Sequence, residues 1–328
     1  VISKLKKNLK RIAKENIKIY NVLYKLRVFY WKYLYLKIGE VLNYKFERKK
    51  FYAAHGYKLD LNNPKSFNEK IVCKKIFDRN DLLPVVEDKY RVRKYLKSKL
   101  GNNKAEEVLV PLLYETKEPQ KIPFVDLPNE FIIKANHGSG KNLIVENKNK
   151  FDKKIILNKC KRWLNTPQGL HKREWAYQPI NRRIIIERLL KTKNGMIPED
   201  YKFFIFNGAC AFIQVDIDRH NKEEEHKRSL FWPDWEYIDG SLKYPQGPCI
   251  EQPSQLTEMI SLAEKLGEDF DAIRVDLYLV NGKIYFGELT NYHGSGMEKF
   301  TPKKLDFEMG RKWKITNEYK KENWRAIN

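Results

Sequence analysis

The stretch from Ala272 to Gly296, AIRVDLYLVNGKIYFGELTNYHGSG, leaves a folding chain few choices. Two runs of alternating apolar residues flank Asn281-Gly282, the strongest short-range signal for a β-hairpin. Side chains alternate along a strand, so Ile273, Val275, Leu277 and Leu279 share one face while Arg274, Asp276 and Tyr278 share the other. A two-residue turn pairs Val280 with Lys283. That register sets Asp276 opposite Gly287 and turns Glu288 away. One extra residue in the second strand returns Glu288 to the Asp276 face, and Gly287 is the expected place for such a bulge. A cation and two carboxylates then converge beside His293-Gly294-Ser295-Gly296, a loop expected to offer backbone N–H groups to an anion. Paired carboxylates near a phosphate-sized anion suit Mg²⁺, which binds through one or two carboxylates plus substrate phosphates. An exposed hairpin explains any one of these charges. Their order on one hairpin points to a site.

A second glycine loop lies in EFIIKANHGSGKNLIVENK. Phe131 to Ile133 reads as a strand with Lys134 at its end, and Asn142 to Val145 as another. Between them, Gly138, Ser139 and Gly140 let the backbone approach phosphate oxygens, and Lys134 and Lys141 supply positive charge. The loop is not a Walker A motif, because Ala135 and Asn142 stand at its outer positions and β-like residues follow. Nor does it open a helix as a GxGxxG loop does. Taken alone it is equally a plain hairpin turn.

Charge narrows the partners. The 328 residues carry 64 Lys and Arg against 42 Asp and Glu, a net +22. Nucleotide, nucleic acid, anionic lipid and acidic glycan are the implied classes. Residues 1–50 hold 15 Lys and Arg against three acids (Glu15, Glu40, Glu47), so +12 of that charge. Ile19, Val22, Leu23, Leu26, Tyr30, Tyr33 and Leu34 recur there at helical spacing among many aromatic residues. Such a helix suits an anionic membrane surface. Packing on the protein core is the competing reading. Nucleic acid ranks last, because no binding module accompanies the charge. Cys73, Cys160, Cys210 and Cys249 are scattered and read as free thiols of a reducing compartment, and the six His residues form no metal pattern. No apolar run reaches about 18 residues, and no signal peptide is expected. The expected place is the cytoplasm, peripheral on the inner face of its membrane.

The remaining elements follow from caps and turns. Ser66 and Glu69 have capping-box spacing ahead of a helix. A second helix is expected from Asp88 to Leu100, stopped by Gly101, and a strand from Val108 to Tyr114. Phe151 to Leu164 reads as a helix and Arg183 to Leu190 as a strand. Asn207-Gly208 joins a second hairpin from Asp200 to Asp216, with Asp218, Arg219 and His220 after it. Trp232 and Trp235 fall in a loop. Helices are expected from Leu256 to Leu266 and from Pro302 to Ile315, with a frayed end after Asn317.

In this order the pieces resemble the ATP-grasp superfamily, and most of all its TupA-like group of bacterial surface-polysaccharide loci. The resemblance covers Phe51 to Ile315. It rests on GYKLDLNNPKSFNEK, DKYRVR, FIIKANHGSGKNLIV, REWAY, DYKFFIFNG and RVDLYLVNGKIYFGELTNYHGSG. It implies an α+β fold in which two lobes with antiparallel sheets grip ATP. The implied organisation is a basic helical extension over 1–50, a helical pre-grasp region over 51–128, an ATP-grasp domain over 129–316 and a tail over 317–328. It implies ATP and Mg²⁺ as cofactors. Lys134 and Lys141 would hold phosphates, with the Gly138–Gly140 loop, Ser139 included, as lid, and His137 beside it would contact the cofactor. Glu187, with Arg188 and Leu189, would form the adenine hinge, and Asp200 would bind ribose. Arg274, Arg219 and Lys202 would meet the transferring phosphoryl or acyl group. Asp276, Glu288 and Thr290 would hold metal, and His293 to Gly296 would face the substrate. The sequence departs from the superfamily at Thr290, where many members have Asn; here Asn291 comes next.

The implied reaction joins a carboxylate to an amine through an acyl phosphate, with an acidic sugar or glycan as the acid and an amine or amino acid as its partner. A carboxylate oxygen leaves poorly, and phosphorylation supplies a better leaving group. Stabilising the charge on the moving phosphoryl group is then the main task. A kinase or a glycosyltransferase is the alternative, the latter because Asp216-Ile217-Asp218 has Asp-x-Asp spacing. A non-enzymatic basic tether is the third.

Overall fold

The computed structural model describes residues 26, 28–219 and 225–316. Most of the basic stretch (1–25), His220 and the tail over 317–328 lie outside the described residues.

Both Asn-Gly hairpins form. β5 (Asp200–Phe206) and β6 (Ala209–Ile217) turn at Asn207 and Gly208, and β9 (Ala272–Val280) and β10 (Lys283–Thr290) at Asn281 and Gly282. All four turn residues have positive φ, the conformation that matches strand twist in a two-residue hairpin. With β7 (Lys227–Phe231) they build an antiparallel sheet in the order β10-β9-β5-β6-β7. The expected bulge is present. Phe286 pairs with Leu277, Glu288 pairs with Asp276, and Gly287 is skipped. A Cβ on Gly287 would sit 3.0 Å from the Asp276 carbonyl oxygen and 3.0 Å from the Tyr278 ring, so the bulge favours glycine. One face of β9 packs Ile273, Val275 and Leu277 into the core, where α8 (Leu256–Gly267) covers it with Met259, Ala263 and Leu266. Each such large side chain contributes about 1.5–3 kcal/mol as an upper figure.

The second antiparallel sheet has the order β1-β4-β2-β3, from Leu112–Thr116, Ile184–Arg188, Phe131–Ala135 and Asn142–Val145. Phe131, Ile133 and Ala135 alternate inward against Ile156, Cys160 and Trp163 of α7 (Lys153–Asn165). Ile132 and Lys134 therefore point to the opposite side. The strand expected from Val108 begins later: Asn102–Val108 is helical, and Leu112 opens the strand after Pro111. Ala105, Glu106 and Glu107 favour helix there, and Pro111 has no N–H for a ladder. The helix expected from Asp88 begins at Val92. The Asp88 carboxylate accepts from the Tyr90 and Arg91 N–H groups and holds a turn in front of it.

The helices ahead of the sheets tie the chain together. Phe67–Phe77 starts with the capping box formed by Ser66 and Glu69. Lys74 on it pairs with Asp271, whose carboxylate also accepts from the indole of the fully buried Trp313, just after the Lys304–Lys312 helix. Nearer the N-terminus, a wide helical turn (Tyr30–Tyr35) runs into helix Leu36–Val41, and a further helix spans Lys45–His55. Arg173 clamps this segment: Nε donates to Glu47 at 2.7 Å and Nη2 to the Tyr35 and Leu36 carbonyls at 3.0 and 3.1 Å. A Cβ on Gly39 would overlap the guanidinium, so a larger residue there would displace Arg173 from this clamp. Packing on the core and exposure coexist here. Tyr35 and Gly39 are buried, whereas Leu26, Phe29, Tyr30, Tyr33, Leu34, Ile38 and Val41 are exposed.

Candidate active site

Residues of both sheets line one cleft. The four-stranded sheet contributes Ile132, Lys134, Ile144 and Arg188, and the five-stranded sheet Asp200, Asp276, Tyr278 and Glu288. Gly138, Ser139, Gly140 and Lys141 close one side, and Leu189, Leu190, Ile197 and Pro198 another. Apolar Ile132, Ile144, Leu189 and Ile197 line it together with cationic Lys89, Lys134 and Lys141, groups that suit a planar base with phosphates. Gly138 and Gly140 have φ of +90° and +71°, which glycine alone adopts freely. Lys134 Nζ donates to Glu187 at 2.8 Å, so this Glu braces the lysine. The Arg188 N–H is spent on the Pro111 carbonyl. Lys141 Nζ donates to the Thr166 carbonyl at 2.8 Å and lies 3.0 Å from His137 Nε2. Burial, with Arg182 nearby, pushes the Lys141 amine down to about 8.

His137 does not line the nucleotide cleft, as contact with the cofactor would need. It is fully buried, with Nε2 3.2 Å from the carbonyls of Trp163 and Thr166. Burial and the neighbouring Lys141 push it down to about 3, so it is neutral. It is an internal strut beneath the loop.

The hairpin gathers its charges as the register requires. Arg274 Nη2 donates to Asp276 Oδ2 at 2.8 Å, Glu288 Oε1 at 3.2 Å and Thr290 Oγ1 at 3.0 Å. Three hard oxygens of three side chains thus converge on one cationic atom. Arg274 is held from behind: Nε donates to Asp276 Oδ1 at 2.6 Å, and Nη1 to His293 Nδ1 at 2.7 Å. His293 is buried, and burial pushes it down to about 4. Neutral, it accepts at Nδ1, and its Nε2 lies 3.2 Å from Glu298 Oε2. Burial pushes the Asp276 carboxyl up, and Arg274 and Lys202 only partly offset it. For Glu288 burial acts the same way, but Lys89 and Arg274 outweigh it and hold that carboxyl well below the usual range. Among the described residues no group of three or more His, Cys, Asp or Glu side chains forms a metal cage. Two carboxylates and a hydroxyl suit a cation that also takes phosphate oxygens.

Behind this cluster opens a second cavity of about 760 Å³. Lys202, Arg219, Arg274, Glu288 and Thr290 line it, with Lys50, Lys75, Lys172, Lys243 and Lys299 and the acids Glu47, Glu174 and Glu298. Asp200 is buried between Arg219 and Lys202; burial raises its carboxyl, and those two cations outweigh it. Lys202 Nζ also lies 2.9 Å from Asp216. Asp216 takes Arg228 Nε at 2.7 Å as well, so the first Asp of the Asp-x-Asp spacing is committed to internal cations. The His293–Gly296 turn differs from an anion nest. Ser295 N–H goes to the Tyr292 carbonyl, while the Ser295 and Gly296 carbonyls accept from Lys75 and contact His55 Nε2.

Comparison with known families decides the wider question. Residues 69–314 match the sequence model of the family described as TupA-like ATPgrasp. The chain belongs to this ATP-grasp family. Among solved structures, a D-alanine–D-alanine ligase of Bacillus anthracis complexed with ATP is 17% identical, with 63% of this chain and 54% of that chain covered and a TM-score of 0.36. The D-alanine–D-alanine ligase of Helicobacter pylori gives 15%, 70%, 62% and 0.39. The D-cycloserine synthetase DcsG gives 12%, 64%, 64% and 0.39. The chain thus spans 54–64% of the length of these three relatives. A comparison with curated proteins returns no match.

Two residues around the ATP-grasp site are not among those expected from the sequence. Lys89 Nζ lies 2.8 Å from Glu288 Oε2, and Glu298 joins His293, Arg228 and Lys243. Lys89 stands in DKYRVR, which reads as an ordinary amphipathic helix; only contact across 199 residues reveals it.

Proposed function

We propose that this ATP-grasp protein is an ATP-dependent carboxylate–amine ligase of bacterial surface-polysaccharide synthesis. The observation that carries the reading is the convergence of Asp276, Glu288 and Thr290 on Arg274 Nη2, between the nucleotide cleft and the cationic cavity. Asp276, Glu288 and Thr290 would hold Mg²⁺. That ion supplies charge neutralisation for the transferring phosphoryl group. Lys134 and Lys141, with the Gly138–Gly140 loop, grip the phosphates of ATP, and the apolar lining takes the base. Arg274, oriented by His293, meets the moving phosphoryl group. A carboxylate oxygen of the substrate acid forms a bond to the γ-phosphorus as the bond to the ADP oxygen breaks. The amine then attacks the acyl carbon, inorganic phosphate leaves with the electron pair, and the amine proton passes to solvent. Closure of the glycine loop excludes water that would hydrolyse the acyl phosphate.

The acid is an acidic sugar or glycan, because the cavity next to Arg274 is rich in lysines. The amine is an amine or amino acid. A glycosyltransferase explains the site less well, because Asp216 already holds Lys202 and Arg228. The exposed stripe from Leu26 to Val41 supports a place on an anionic membrane surface. Leu26, Phe29, Tyr30, Tyr33, Leu34, Ile38 and Val41 recur at three- and four-residue steps in a segment with a net charge of +12 over residues 1–50. Among the described residues no helix is long and apolar enough to cross a membrane, so contact at the surface is the mode proposed.

The test is incubation with ATP, Mg²⁺, hydroxylamine and glucuronate or its 1-phosphate. Hydroxamate with ADP supports the ligase. A stable phosphorylated sugar means a kinase, and UDP release from a UDP-sugar means a glycosyltransferase.

A further inference from the structure

Lys74 and Lys75 are neighbours on one helix, and both are buried, but their surroundings differ. Lys74 lies between Asp78 at 2.7 Å and Asp271 at 2.6 Å. Lys75 Nζ donates to the carbonyl and hydroxyl of Ser295 at 2.8 and 3.1 Å, both neutral groups. Among the described residues no carboxylate forms an ion pair with it. Glu47 has one oxygen taken by the Tyr35 hydroxyl and Arg173, and Glu174 accepts from Ser295. A buried cation without a contacting anion is costly, and a fold keeps one where something else supplies the charge. Burial pushes the Lys75 amine down to about 8; Glu174 and Glu47 act the other way, and Lys50 and Lys172 add repulsion.

Lys75 faces the large cavity, and Lys50 and Lys172 line the same cavity. On the reading of that cavity as the acceptor site, the carboxylate to be activated must reach Arg274. Ser295 lies two residues beyond His293, which orients Arg274, so Lys75 marks a second anionic position across the same turn. Three lysines and no arginine at that position favour a compact, multiply charged group; a carboxylate is better matched by the planar fork of arginine. A cavity of about 760 Å³ also exceeds the needs of one small acid. We propose that Lys75, with Lys50 and Lys172, binds a phosphate carried by the acceptor, so that the acid substrate is a phosphorylated sugar acid. The phosphate belongs either to a nucleotide-linked or to a lipid-linked sugar.

The experiment is a calorimetric titration of the full chain, loaded with Mg²⁺ and ADP, with glucuronic acid and with glucuronic acid 1-phosphate. Wild type is expected to prefer the phosphate form by about tenfold or more. Lys75→Met is expected to remove the preference. So is the double variant Lys50→Ala/Lys172→Ala, which alters only exposed side chains and guards against misfolding of the first. Melting curves check that both variants fold. Repeating the titration with UDP-glucuronic acid and with a polyprenyl-diphosphate-linked glucuronic acid identifies the source of the phosphate, and preference for either supports the proposal. Equal affinity for the two acids in wild type overturns it. So does a phosphate preference that survives in both variants. A Lys75→Met enzyme whose KM rises for an amino acid substrate, with that for the acid unchanged, also overturns it, because Lys75 then holds the carboxylate of the amine. These readouts need no turnover except the last. A phosphate preference without hydroxamate formation would therefore sink the ligase reading and leave this one standing.

Discussion

Replacing Lys75 by Met should stabilise the ligand-free protein at neutral pH, although it removes two hydrogen bonds. A lysine with an ordinary value of 10.5 that titrates at about 8 in the fold bears a charging penalty of roughly 3 kcal/mol at pH 7. The lost hydrogen bonds to Ser295 return about 1–3 kcal/mol. The net gain at pH 7 is then about 1 kcal/mol, or roughly 1–2 °C in Tm for a chain of 328 residues. The pH dependence is the sharper measurement. Between about 8 and 10.5 the folded amine has lost its proton and the unfolded amine keeps it, so wild type gains stability as pH rises through that window. The variant has no such group. Its advantage should shrink from pH 8 upward and reverse by about pH 10, leaving only the missing hydrogen bonds. Urea unfolding of both proteins between pH 7 and 10 reads this difference directly, because every other titrating group is common to both. A difference that stays flat across the window would show that the amine is not strained by burial. A loss of more than about 2 kcal/mol at pH 7 would show that it is a net structural contact. Either result removes the reason to look for a ligand anion there.

Asp276→Asn and Glu288→Gln should each lower turnover by at least ~10²-fold, because each removes charge compensation at the phosphoryl group; near-wild-type rates of ADP release in both would refute the site. Lys134→Ala should weaken ATP binding and leave Glu187 without its 2.8 Å partner, so a titration showing unchanged ATP affinity counts against this loop as the phosphate grip. The full chain should float with vesicles containing acidic lipid and detach partly in salt, as about 1 kcal/mol per lysine near the surface implies. Phe29→Glu/Leu34→Glu/Ile38→Glu should abolish that binding, and flotation undiminished in this variant would mean that the stripe is not the contact.

The parts of this protein that can be read from its sequence are those whose geometry is decided within a few residues. Asn281-Gly282 fixes the turn, the turn fixes the pairing of Val280 with Lys283, and the need to bring Glu288 beside Asp276 then locates the bulge at Gly287. The capping box at Ser66 and the two flanks of the Gly138–Gly140 loop are local in the same way. The errors fall where a distant segment supplies the deciding partner. His137 sits beside a lid loop in sequence, yet the carbonyls of Trp163 and Thr166 claim it. His293–Gly296 has the composition of an anion nest, but Lys75 and His55 take its carbonyls and Tyr292 takes the Ser295 N–H, so its polarity is reversed. Lys89 reaches Glu288 across 199 residues and leaves no trace in the spacing of either. The hairpin's sequence therefore says which side chains share a face, whereas the charge that face presents to a substrate is settled by Lys89 and Lys202, each from another segment. Glu288 shows the consequence: burial alone would raise its carboxyl, and Lys89 and Arg274 together outweigh burial and keep a negative charge where a cation can use it.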